Sequence, residues 1–75
     1  MKNTFKKGQV YQVIGNVKTD DSIPTKGSKI EIGEIEKKQY RTRINYEVIE
    51  GETAKDGSKL FYTDSEFATD LQLIE

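Results

Sequence analysis

Apolar and polar residues alternate with a period of two in several short runs of this chain, and helical periodicity of useful length occurs nowhere. Successive side chains of an extended strand point to opposite faces, so each run predicts a strand with one buried and one wet face. The clearest run is residues 40–48. Tyr40, Thr42, Ile44, Tyr46 and Val48 fall on one side, and Arg41, Arg43, Asn45 and Glu47 on the other. A slip of one residue would bury both arginines, which constrains the register of this third strand tightly. Residues 8–14 form a first strand, ended by Gly15-Asn16, two residues that tolerate positive φ. Residues 29–37 form a second. There Ile30 and Ile32 alternate, but the next isoleucine is Ile35, with Gly33 at the break in parity. A buried face that changes sides predicts a bulge and a bend, and valine at Gly33 is expected to cost about 1 kcal/mol or more through a forced backbone conformation. Residues 59–63 form a fourth strand, in which Phe61 has the opposite parity to Leu60 and Tyr62.

The connections sharpen this picture. Residues 17–28 make a polar loop containing Asp20-Asp21-Ser22, Pro24 and Gly27, with Ile23 as its one apolar anchor, held extended by the proline after it. A loop of about a dozen residues is long for so small a domain, and such loops are often functional. Lys38-Gln39 reads as a tight turn, and residues 51–58 as a further loop. Asp64 suits the N-cap of a one-turn helix at residues 65–67, which would tuck Phe67 under the sheet. A last strand then points Leu71 and Leu73 inward, with Ile74 on the opposite side. Five strands, a bent second strand and a helical turn before the last predict an all-β, five-stranded SH3-like barrel. It forms a single domain over residues 1–75, with residues 1–7 flexible.

The chain has 75 residues and neither cysteine nor histidine. It is thus near the size at which a core only just offsets chain entropy, with no disulfide and no Cys/His zinc site to help. The core must come from Val, Ile, Leu and seven aromatic residues, four Tyr and three Phe. The absence of cysteine fits a reducing cytosol, so a cytoplasmic location is expected. No apolar run approaches the roughly 20 residues of a membrane span. The basic start, Met1-Lys2-Asn3-Thr4-Phe5-Lys6-Lys7, leads into no apolar segment of the kind a signal peptide carries. Net charge is −1 but unevenly spread: residues 1–45 hold ten Lys/Arg against five Asp/Glu, and residues 46–75 two against eight. Either the two halves interleave and the charges mix, or the molecule has one basic and one acidic face.

A resemblance rests on Gly8-Gln9-Val10-Tyr11-Gln12-Val13-Ile14-Gly15-Asn16, Gly27 before an isoleucine-rich strand, Tyr46, Phe61-Tyr62, and Asp70-Leu71-Gln72-Leu73-Ile74. In these positions the chain resembles the small SH3-like barrel proteins encoded by phages and prophages of Gram-positive bacteria, over nearly its whole length from Gly8 onward. The matching positions build the barrel and do not form a site. Most members of that group have no assigned activity, so the resemblance implies fold and origin more than function. Signalling SH3 domains bind Pro-rich peptides with an aromatic first loop and a double tryptophan. This chain has no tryptophan, and Asp20 and Asp21 stand where such a loop carries aromatics. The run Lys7-Gly8-Gln9-Val10-Tyr11-Gln12-Val13-Ile14 is similar to the opening of KOW-type modules, with Gln9 in place of an acidic residue and a longer loop after it.

Candidate chemistry is sparse. No imidazole base or thiolate nucleophile is available, and Ser22, Ser28, Ser58 and Ser65 all sit at turns, where serine serves local hydrogen bonding. Glu34 and Glu36 share a strand face and read as solvated, and Asp20-Asp21-Ser22 lacks the spacing of a calcium loop. The expectation is therefore a non-enzymatic binding module with no cofactor or metal, no membrane and no small-molecule substrate, acting through a protein partner or a second copy of itself. An exposed Phe61 beside Ile14, Ile49 or Ile74 would supply the apolar patch. The alternative is nucleic-acid binding through Lys37, Lys38, Arg41 and Arg43, four cations at the turn and on one strand face that are able to track phosphates. Against it stands neutralisation of these cations by Glu34, Glu36 and Glu47 across the hairpin, and no aromatic interleaves with them.

Overall fold

The computed structural model describes residues 4–15 and 21–75. Asn16 and Asp20, expected in the first turn and the first loop, lie outside the described residues. The protein is all-β apart from one helical turn. Strands β1 (Val10–Val13), β2 (Lys29–Lys37), β3 (Thr42–Glu50), β4 (Leu60–Tyr62) and β5 (Leu71–Leu73) form one antiparallel sheet, and helix α1 (Glu66–Thr69) precedes β5. The strand order is β4-β3-β2-β1-β5, so β4 and β5 are the edges.

The break in parity at Gly33 is a bulge. Ile32 pairs with Tyr46 and Ile35 with Ile44, so three residues of β2 span the length of two on β3. The extra residue turns both isoleucines toward the core: Ile32 is buried, and Ile35 packs partly buried against the core cluster. The backbone does not require glycine for this. Gly33 is not among the positive-φ residues, and a Cβ there would meet the Asn45 carbonyl oxygen at 3.5 Å, an ordinary contact. The expected penalty from a forced conformation at Gly33 therefore has no structural basis. A second irregularity lies between Lys29–Glu50 and Ile30–Val48, where Ile49 is the extra residue of β3 and points into solvent.

An aromatic cluster forms the centre of the core. The Phe61 ring lies 5.2 Å from those of Phe5 and Phe67 and 5.9 Å from that of Tyr46, edge-on to Phe67 at 86°. Edge-to-face geometry sets the positive rim of one ring against the negative face of the next. Tyr11, Val13, Ile30, Ile32, Ile44 and Leu71 complete the core. Phe5 belongs to it as a partly buried neighbour, its ring 4.9 Å from that of Tyr11.

Four expectations need correcting. Phe61 is buried, not exposed, because it pairs in register with Ile44, and directly opposed residues share a face of the sheet. Tyr40 is 87% exposed, because β3 begins only at Thr42, which pairs with Lys37; Tyr40 sits in the four-residue hairpin loop 38–41, where strand alternation does not apply. Leu73 shares a face with Tyr11 but is exposed, since β5 is an edge strand near its end. Asp64 does not cap α1. The N-cap is Ser65, without a side-chain cap bond, and its hydroxyl donates to the Tyr62 carbonyl at 2.7 Å.

Candidate binding surface at the hairpin tip

The β2–β3 hairpin closes with the Lys38 amide donating to the Arg41 carbonyl at 2.7 Å. This short loop turns Tyr40 outward and Arg41 back over β4. The Arg41 guanidinium carbon sits 3.7 Å from the centroid of the Tyr62 ring, and its Nη2 donates to Asp64 Oδ1 at 3.1 Å. A cation over an aromatic face gains from the ring quadrupole, and a carboxylate on the guanidinium edge fixes its plane. Arg41 is thus held over the Tyr62 ring by a residue that follows β4. Beside it, the hydroxyl of the exposed Tyr40 accepts from Gln39 Nε2 at 3.2 Å.

Of the four cations expected as a cluster, Lys38, Arg41 and Arg43 share two carboxylates here, whereas Lys37 pairs with Thr42 and so lies on the opposite face of the hairpin from Arg43 and Glu36. Glu36 lies 3.4 Å from Lys38 Nζ through one oxygen and 3.4 Å from Arg43 Nε through the other. It also accepts from Asn45 Nδ2 at 3.0 Å. The Asn45 bond first, then the charges of Arg43 and Lys38, hold the Glu36 carboxyl below its ordinary pKa. The Arg43 contact has ion-pair distance without hydrogen-bond geometry, so this buried Nε–H has no acceptor. Of the neutralisers expected from the sequence, only Glu36 plays that part. Glu34 pairs with Lys7, raising the Lys7 pKa, and Glu47 pairs with Lys59. Asp64, which the sequence offered as a cap, neutralises Arg41 instead. Lys37 has no ion pair among the described residues. Lys38, Arg41 and Arg43 against Glu36 and Asp64 leave the tip net positive, and solvent screening weakens exposed pairs of this kind enough for a ligand to displace them.

Two open clefts meet at Tyr62. One, of ≈ 260 Å³, is lined by Lys38, Gln39, Tyr40, Arg41 and Tyr62. The other, of ≈ 450 Å³, runs beside β4 between Ile23, Leu60, Tyr62, Ser65, Glu66 and Phe67. The apolar patch expected around Phe61 does not exist, because Phe61 lies in the core; Ile14 and Ile49 are exposed, as expected. Among the described residues no group of three or more acidic side chains is placed to hold a metal ion, and no helix is long and apolar enough to cross a membrane. Tyr40 and Tyr62 are the members of this surface that sequence reasoning assigned to the core. The one signal that could have placed Tyr40 was the length of the hairpin loop. Comparison of the chain with protein-family models, with curated proteins and with solved structures finds no match.

Proposed function

We propose that this chain is a non-enzymatic binding module on an SH3-like barrel of the phage and prophage type, and that it engages a protein partner through the hairpin tip. The barrel reading is supported by the strand order β4-β3-β2-β1-β5, the bulged second strand and the helical turn ahead of β5. The observation that carries the functional reading is the solvent-facing Tyr40 next to an Arg41 held over the Tyr62 ring, where two clefts join. Tyrosine and arginine dominate the energetics of protein interfaces, because each gives a large rigid contact area with a polar end. Arg41 is also pre-positioned, which lowers the ordering cost of binding. The test is affinity purification from the native host with wild-type and Y40A/R41E baits, with captured proteins identified by mass spectrometry. A partner retained by the wild type and lost with the variant is the expected result. A partner held equally by both baits removes the hairpin tip from the reading.

A specific observation also favours nucleic acid as a second reading: the exposed Tyr40 stands beside Lys38 and Arg41, supplying an aromatic that strand alternation did not place among the cations. Bases stack on such rings while cations follow the phosphates. Titration with labelled single- and double-stranded DNA and RNA in about 50 mM salt, where counterion release favours binding most, decides it. Binding that falls steeply with salt and is abolished in an R41E/R43E variant supports this reading, and no binding ends it.

A further inference from the structure

We infer that β4 receives an extended peptide segment as an added strand, and that this segment carries an apolar side chain for the larger cleft and an acidic one for the hairpin tip. The inference rests on the protein-partner reading above and names the mode and chemistry of the partner. It starts from the backbone of β4. Thr63 N–H donates to Thr42 C=O and Tyr46 N–H to Lys59 C=O, with Phe61 opposite Ile44 between them. In an antiparallel ladder the residues between these alternate outward. The N–H and C=O of Leu60 and the N–H of Tyr62 therefore point away from β3 at the open edge of the sheet. Among the described residues only the Tyr62 carbonyl is taken there, by the Ser65 amide at 3.0 Å and the Ser65 hydroxyl. Two donors and an acceptor along a single strand edge match the requirements of an incoming strand.

The surroundings select what the strand carries. The ≈ 450 Å³ cleft flanks this edge, and although serines and Glu66 stand at its walls, Ile23, Leu60 and Phe67 give it an apolar lining that favours an apolar side chain. At the other end, beyond Tyr62, the charge is positive: Lys38, Arg41 and Arg43 against Glu36 and Asp64. An acidic side chain there replaces Asp64 on the exposed edge of Arg41, an exchange that costs little because the existing pair is solvent-exposed. Edge hydrogen bonds give affinity independent of sequence, and the cleft and the cations give specificity.

The test pans a random-sequence peptide library against the whole protein and studies the recovered peptides by NMR and by N-methyl scanning. The expected peptides share an apolar residue and an Asp or Glu, shift the Leu60 and Tyr62 amides, and slow the hydrogen exchange of both. N-methylation at alternate peptide positions weakens binding about tenfold per bond lost, since each change leaves an edge group unpaired. The scan leaves the protein itself untouched, so it does not depend on how a variant folds. An L60P variant, which removes an outward N–H together with the leucine side chain at the cleft, weakens binding at least as much, and R41E weakens the acidic peptides alone. Peptides that bind with no sensitivity to N-methylation and no change at Leu60 or Tyr62 overturn strand addition but leave a protein partner at the hairpin tip standing. Recovery of no peptide overturns it as well, and if polynucleotides bind instead, the nucleic-acid reading replaces both.

Discussion

The position of Phe61 gives the sharpest test of the fold, because an exposed and a buried Phe61 predict different energetics for one substitution. In the structure the Phe61 side chain is 5% exposed and touches the rings of Phe5, Tyr46 and Phe67. F61A removes the ring at the centre of that cluster, and truncation of a buried phenylalanine to alanine costs about 3–5 kcal/mol, transfer and cavity terms together. A chain of 75 residues has a total stability of only about 4–11 kcal/mol at the usual 0.05–0.15 kcal/mol per residue. The variant is therefore expected to be marginal or unfolded at room temperature. F61L, which keeps most of the volume, should lose much less. The assay is urea denaturation followed by circular dichroism, with the m-value monitored, because a lower midpoint at constant m is a change in stability alone. If enough structure survives to melt, each kcal/mol lost lowers Tm by about 4–8 °C in a domain of this size. A loss below about 0.5 kcal/mol, the range of ordinary surface substitutions, would refute the buried position and with it the Ile44–Phe61 register.

Gly51 has φ +102° and backs onto Ser28, whose Cα would lie 2.9 Å from an added Cβ, whereas Gly57 has φ +80° and open space around it. G51A should thus cost clearly more than G57A, whose strain alone is about 1–2 kcal/mol, and equal losses in urea melts would contradict the packing of Gly51 on the buried Ser28. Burial of the Tyr46 ring, and secondarily the Asp56 carboxylate, push the Tyr46 hydroxyl up to about 12 from 10.0. The neutral form is favoured by folding, so its contribution is whole below pH 10.0 and is lost as pH rises toward about 12; Y46F should flatten the alkaline fall in stability, measured by melts across that window. For Glu36 the sign is opposite, since its carboxyl is held low chiefly by Asn45. In N45A the Glu36 midpoint, followed by carboxyl-carbon NMR, should move up toward the ordinary value, and an unchanged midpoint would show that the cations alone set it.

Where each buried residue has polar neighbours on both sides, one face is unambiguous, and so Ile30, Ile32, Ile44 and Tyr46 could be placed in the core before any coordinates. The bulge at residues 33–34 was legible for the same reason: two correctly alternating stretches out of phase leave no other solution. Leu60-Phe61-Tyr62 offers no such contrast. All three residues are apolar or aromatic, and only pairing with β3, a non-local fact, decides that Phe61 faces in and that Leu60 and Tyr62 flank the cleft.

The hairpin tip was hidden by the same limit. Whether Tyr40 belongs to a strand or to a loop depends on where Lys37 finds its partner, and pairing with Thr42 moves the tyrosine from core to solvent. Arg41 then depends on Tyr62 and on Asp64, 23 residues further along the chain, for its orientation. Period-2 reasoning could gather the cations on one hairpin, but it could not show that an arginine is stacked and aimed, since no local pattern encodes that contact. A surface made this way is set by the register of two strands. A substitution that shifts the β3–β4 pairing should therefore disable binding even where the tip residues are untouched. The edge of β4 and the stacked Arg41 come from the same ladder, because Tyr62 supplies the ring for one and an outward N–H for the other. On the proposed reading, stability and recognition are coupled at that residue. Y62L, which keeps the backbone and most of the apolar contact but loses the ring face, is expected to weaken partner binding more than it weakens the fold. A melt unchanged within about 1 kcal/mol beside a clear loss of affinity would separate the two roles, and a large drop in stability with affinity preserved would show that the ring serves packing alone.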